Sequence, residues 1–293
     1  MKVLFDNLTT EQADTCGLVL SSSGIAYRVI KRETGWEIWV EEENSTIALD
    51  SIKQYFRENA DTDHPALIDM DADASGYQKT FSGIWAAAVL VLCHLIFLTG
   101  QNHQELIRAY GASANLILKG EFFRTITALM LHADAVHLAG NVVGIAIFGT
   151  AVGSIMGWGV GWLMILSAGI IGNFANAILI QSGHISIGAS TAIFGAVGIL
   201  SAHQFVKKIR LAVGGRIKAW LPLAGGLALL GFLGAGKHSD ITAHLFGFLA
   251  GSILGLVYAL RFNRKTSIVG QKYCAGIFWV ILLLAWVTGF SRS

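Results

Sequence analysis

The chain has 293 residues, 54% hydrophobic and only 14% charged, with 34 Gly and 2 Pro. That balance is too apolar for a water-soluble globular protein and indicates an integral membrane protein. A net charge of +2 averages an acidic head with a basic remainder and implies no nucleic-acid partner.

Fifteen of the 19 acidic residues lie in residues 1–80, the others being Glu105, Glu121, Asp134 and Asp240, so the chain divides near Thr80. Residues 1–60 read as a small α/β domain. Thr9 and Gln12 have capping-box spacing and open a helix over 10–21. Residues 27–31 and 36–40, the latter alternating Trp36, Ile38 and Val40, flank Arg32, Glu33, Thr34 and Gly35 as a hairpin. Leu49, Ile52 and Phe56 mark one face of a second helix. The first 20 residues show no basic region followed by an apolar core, so no cleavable signal peptide is expected. Residues 61–80, with Asp61, Asp63, Asp69, Asp71 and Asp73, have no sustained period and read as an acidic linker.

Seven apolar runs long enough to cross about 30 Å of hydrocarbon follow, near 84–100, 137–157, 160–181, 187–205, 219–236, 242–261 and 274–290. Lys207, Lys208, Arg210, Arg216 and Lys218 follow the fourth run, and Arg261, Arg264, Lys265 and Lys272 follow the sixth, with no acid in either group. Both loops should be cytoplasmic. Tracing the crossings back places the head in the cytoplasm, the loop over 101–136 outside, and Ser291, Arg292 and Ser293 outside. Cys16, Cys93 and Cys274 have no metal-ligand spacing and read as small buried apolar residues.

In this topology the second span begins outside with His137 and Asn141, the fourth with Gly188 and Ser190, and the sixth with His244. Ionisable and polar groups meeting at one depth inside a membrane point to a functional site. A serine needs a base within hydrogen-bond reach to act as a nucleophile, and His244 supplies one. His244, Gly247 and Gly251 share a face of the sixth span, and Gly188, Ala192 and Ala196 suggest a matching small-residue ridge on the fourth. His137 and Asn141, one turn apart, are side-chain donors for an oxyanion, and the Ser190 backbone N–H near its helix start is a third. His94, in the first span, and His203, near the inner end of the fourth, are expected to lie apart from these groups. Asp240 reads as a helix cap rather than a third catalytic member.

These residues carry a resemblance. Gly120-Glu121-x-x-Arg124, His132 with His137-x-x-x-Asn141, Gly188-Ala189-Ser190-Thr191, and Ala243-His244-x-x-Gly247-x-x-x-Gly251 resemble the rhomboid family of intramembrane serine proteases over roughly 84–261. The resemblance implies an all-α polytopic membrane protein: a six-helix core over 81–261 plus an additional seventh helix within 262–293, behind the small α/β domain. It implies a Ser190 and His244 dyad, an oxyanion hole of His137, Asn141 and the Ser190 amide, and supporting roles for Gly188, Phe194, His132, Gly247 and Gly251. Glu121 and Arg124 would be structural residues of the first outer loop. Thr191 departs from the glycine that many members carry after the nucleophile.

The expected function is hydrolysis of a peptide bond in or near the transmembrane segment of membrane-protein substrates, within a lipid bilayer, without a metal or organic cofactor. The site would open to the extracytoplasmic side of a bacterial inner membrane, with Ser182, Gly183 and Ser186 in the loop that admits water. A catalytically silent member escorting transmembrane partners is the alternative. A transporter or haem protein using His94, His137, His203 and His244 is a further rival, and the soluble α/β-hydrolase reading fails because no strand precedes Ser190 and Ala192 replaces the second motif glycine.

Overall fold

A computed structural model describes residues 1–32, 35–58, 80–99, 103–180, 185–211, 219–233, 240–261 and 266–292. The sequence-predicted acidic linker therefore lies outside the described residues except for Thr80, as do Glu33, Thr34, Ser182, Gly183, Arg216, Lys218, Arg264, Lys265 and Ser293. The chain forms two compact units, Met1–Gly76 and Tyr77–Ser293.

In the first unit, β1 (Lys2–Leu8), β2 (Tyr27–Arg32) and β3 (Gly35–Val40) form an antiparallel sheet in the order β1-β3-β2. Helices α1 (Thr10–Ser22) and α2 (Ser45–Glu58) pack on it. The Thr9 capping box is present, with the Thr9 amide donating to Gln12 at 2.9 Å. Leu8, Leu20, Ile38, Val40, Ile52 and Phe56 build the apolar core. The sequence reading did not anticipate β1, because two register shifts against β3 break its alternation.

The second unit is a helical bundle. Its principal helices are α3 (Ser82–Thr99), α4 (His103–Tyr110), α5 (Ala114–Leu118), α6 (Arg124–Thr127), α7 (Ala135–Met156), α8 (Trp158–Ile180), α9 (Ser190–Leu211), α10 (Leu221–Leu233), α11 (Ile241–Arg261) and α12 (Ile268–Arg292). Helices α7, α8, α11 and α12 are long and apolar enough to cross a membrane. Helices α3 and α10 are shorter apolar helices among the described residues, and α9 carries Ser190, Thr191, His203, Gln204 and Lys207 along its length.

The most extensive helix pairing is α9 with α11. Gly247, Gly251 and Gly255 of α11 lie against the backbone of Thr191, Gly195 and Ile199, so a Cβ on each glycine would strike that residue's carbonyl oxygen. The expected ridge of Gly188, Ala192 and Ala196 is therefore corrected by one position. Gly188 precedes the helix at φ +114°, and Ala192 sits against Gly169 of α8 instead. Without a hydrophobic drive between helices in lipid, such backbone approach supplies the packing that holds the pair.

Three short helices occupy the segment between α3 and α7, fastened by one buried cation. Arg124, 6% exposed, donates from Nε to Glu121 at 2.6 Å and from Nη1 to the carbonyls of Arg108 at 2.9 Å and Gly111 at 3.2 Å. Thr127 adds a bond to the Tyr110 carbonyl at 2.7 Å, and Asn173 of α8 donates to the Thr125 carbonyl at 2.9 Å. Strands β4 (Ala112–Ser113) and β5 (Ile185–Ser186) tie this segment to the one before α9.

Helix α12 begins at Ile268, earlier than the apolar run near 274 suggests, because Gln271 gives it an anchor. The Gln271 amide donates to the Met156 carbonyl at 3.0 Å, and its oxygen accepts from Gly159 at 2.8 Å and Val160 at 2.9 Å. Those amides are orphans of the α8 N-terminus, where the chain turns through Gly157 at φ +93°. Gln271→Leu should lower stability by about 2–3 kcal/mol by leaving these groups buried without partners, and a fall in Tm in lipid nanodiscs measures it.

Candidate active site

Ser190 is the first residue of α9, and its position depends on the turn before it. Gly188 adopts the left-handed φ of +114° that glycine tolerates best, and its amide donates to the Ala128 carbonyl at 2.9 Å. This bond ties the serine turn to the segment between α3 and α7.

His244 lies in the first turn of α11, whose start is set by Asp240. One Asp240 carboxylate oxygen accepts from the Ala243 amide at 3.0 Å and from Thr242 Oγ1 at 2.7 Å; the other accepts from Asn176 Nδ2 at 2.6 Å. Burial pushes the Asp240 carboxyl up, but hydrogen bonds from Thr242, Ala243, Asn176 and Ser186 outweigh it and hold its pKa below the ordinary value. Asp240 thus caps α11 and joins it to α8, as the capping expectation required.

The two helices bring His244 Nε2 to 2.6 Å from Ser190 Oγ, across 54 residues of sequence. His244 is 4% exposed, and the Phe194 ring lies against it at 4.8 Å between centroids and 35° between planes. Thr191, at 2% exposure, fits because its methyl enters a notch between Gly172 and Gly247. These two glycines accommodate the branched residue after Ser190. Gly251 lies farther along the same helix contact and supports the pair rather than the reacting groups.

His137 and Asn141 face the Gly188 turn from α7. A Cβ at Gly188 would come within 2.7 Å of His137 Nε2 and 3.6 Å of Asn141 Nδ2. Asp134 caps α7 by accepting from the His137 amide at 2.8 Å, and Asn141 Nδ2 donates to the His137 carbonyl at 2.9 Å. A half-buried serine and a buried imidazole in contact, with side-chain donors beside the serine turn, form an arrangement suited to acyl transfer.

Behind His137 stands His132, 1% exposed, with ring centroids 5.3 Å apart. Burial, then the neighbouring His137 and His94 rings, push the His132 pKa down to about 3, keeping it neutral. The His94 ring lies 6.3 Å from that of His132 and 6.1 Å from that of His103. Asn176 is the polar link from α8 to Asp240.

The bundle, with its serine–histidine contact, is that of a polytopic membrane protein. Residues 119–261 match the model of the rhomboid domain. The chain is 31% identical over 225 residues to rhomboid protease GluP of Bacillus subtilis, covering 73% of this chain and 40% of that protein. It is 29% identical over 151 residues to the putative rhomboid protease YdcA of the same organism, covering 51% of this chain and 73% of YdcA. RHOMBOID-like protein 1 of Arabidopsis thaliana is 26% identical over 192 residues, covering 61% of this chain and 49% of that protein. The chain belongs to the rhomboid family.

Proposed function

We propose that this protein is an intramembrane serine endopeptidase that cleaves a peptide bond in or near the transmembrane segment of other membrane proteins. The single observation that carries the reading is the 2.6 Å contact between His244 Nε2 and Ser190 Oγ in a family whose named relatives include rhomboid proteases.

In this mechanism His244 Nε2 takes the proton of Ser190 Oγ as the oxygen attacks the scissile carbonyl. Negative charge developing on the carbonyl oxygen meets His137, Asn141 and the Ser190 amide, where preorganised donors act in a site of low dielectric. The tetrahedral intermediate collapses as His244 returns the proton to the departing amine, leaving an acyl-serine. Water, deprotonated by His244, attacks the acyl carbonyl, and the serine is released. A substrate segment that unwinds easily is favoured, because a stable helix shields its peptide bonds with its own hydrogen bonds.

The basic residues after α9 and α11 support a cytoplasmic head and a site opening to the extracytoplasmic face of a bacterial inner membrane. Within this reading residues 1–60 act as a cytoplasmic domain, 81–261 as the protease core and 262–293 as an added helix.

The purified chain in liposomes should cut a reporter protein with one transmembrane span, and mass spectrometry should place the new terminus at or near the outer end of that span. Intact reporter after exhaustive incubation, across several spans of low helix propensity, would remove the hydrolase reading in favour of a non-catalytic partner of transmembrane proteins.

A further inference from the structure

Four histidines from four elements form a file leading to the serine turn: His103 on α4, His94 on α3, His132 in the segment before α7, and His137 on α7. Successive ring centroids are 6.1, 6.3 and 5.3 Å apart, and the planes cross at 85°, 82° and 67°. His94 Nδ1 and both ring nitrogens of His103 and of His132 are buried without a hydrogen-bond partner among the described residues.

A buried polar atom left unpaired costs about 1–3 kcal/mol, so several in one place call for partners. Direct ring-to-ring hydrogen bonds need about 3 Å between nitrogens, and the wide, edge-on spacing of His103, His94 and His132 suits single bridging waters instead. A neutral imidazole has one donor and one acceptor. A file in which each imidazole uses one nitrogen as donor and the other as acceptor, joined by waters, therefore carries a direction, each group donating to the next.

That direction matters at His137. Its Nε2 is the ring nitrogen nearest the space beside Gly188, and its Nδ1 is buried. To donate from Nε2, a neutral His137 must accept at Nδ1.

We propose that His94 and His103 are positioning residues which, through His132 and bridging water, set the tautomer of His137 so that Nε2 carries the proton. The proposal rests on the reading of His137 as an oxyanion donor. His94 and His103 touch no reacting atom; they act through the file. The site binds water, held between imidazoles that enter from three separate segments.

The full chain in liposomes, with 15N-histidine, tests this through His94→Phe, His103→Phe and His94→Gln, with His203→Phe as a control outside the file. The Phe substitutions preserve the ring's bulk and remove its nitrogens. They should shift the His137 15N pattern, assigned by its loss in His137→Gln, away from the Nε2-protonated form. They should also lower kcat roughly 10-fold with KM unchanged. His94→Gln, which keeps a donor and an acceptor, should recover both readouts, and it carries the comparison should a Phe variant fail to fold. An unchanged His137 signal across the His94 and His103 variants overturns the relay whatever turnover does. A wild-type chain that shows the tautomer shift but cuts no substrate would retain the relay and remove only the hydrolase reading.

Discussion

Ser190→Ala and His244→Ala are each expected to lower cleavage of a transmembrane reporter by about 10⁴-fold or more, with the double variant no slower than either single one. The expectation follows from the 2.6 Å contact: in the proposed mechanism nucleophile and base act as one unit, so removing either member removes the same step. Independent roles would instead multiply the two losses. The fold should survive in Ser190→Ala, because His244 keeps its ring contact with Phe194 at 4.8 Å and its place behind the Asp240 cap. The check is single-turnover cleavage in liposomes with Tm measured on the same samples. Turnover in Ser190→Ala within tenfold of the wild type would remove Ser190 as the nucleophile.

Gly247→Leu is expected to abolish cleavage and to lower stability by about 1–3 kcal/mol. The new Cβ would strike the Thr191 carbonyl and its methyl, at the place where α9 and α11 lie closest to the dyad. The helices must move apart, and His244, one turn from Gly247, moves with α11 away from Ser190. Gly225→Ala makes the comparison clean, because a Cβ at Gly225 in α10 meets no atom within 4 Å and should leave both activity and Tm unchanged. Equal Tm and cleavage in Gly247→Leu and the wild type would show that the close backbone approach is dispensable.

Much of the site was legible before any coordinates. The order of Ser190, His244, His137, Asn141 and Gly188 along the spans, combined with a topology read from basic loops, predicted that they meet at one depth. Contact register was less legible. The ridge on α9 was expected at Gly188, Ala192 and Ala196, but the helix begins at Ser190 and turns Thr191, Gly195 and Ile199 toward α11. Where a helix starts depends on a φ of +114° at Gly188 and a bond to Ala128, neither of which leaves a periodic trace. In the head, the bulged β1 was hidden for a related reason, since its register shifts erase the alternation that marks a strand.

Sequence alone determined that this chain is a membrane protein with an acidic head and a bundle of apolar helices, because hydrocarbon thickness sets the length of an apolar run and leaves little freedom in reading it. Tertiary structure decided which polar groups touch. Gln271 reaches the start of α8, Arg124 closes the segment between α3 and α7, and His94 stands beside His132. Each contact joins residues far apart in the chain, through side-chain directions set by packing, and the bilayer that makes the spans legible says nothing about which neighbours they choose.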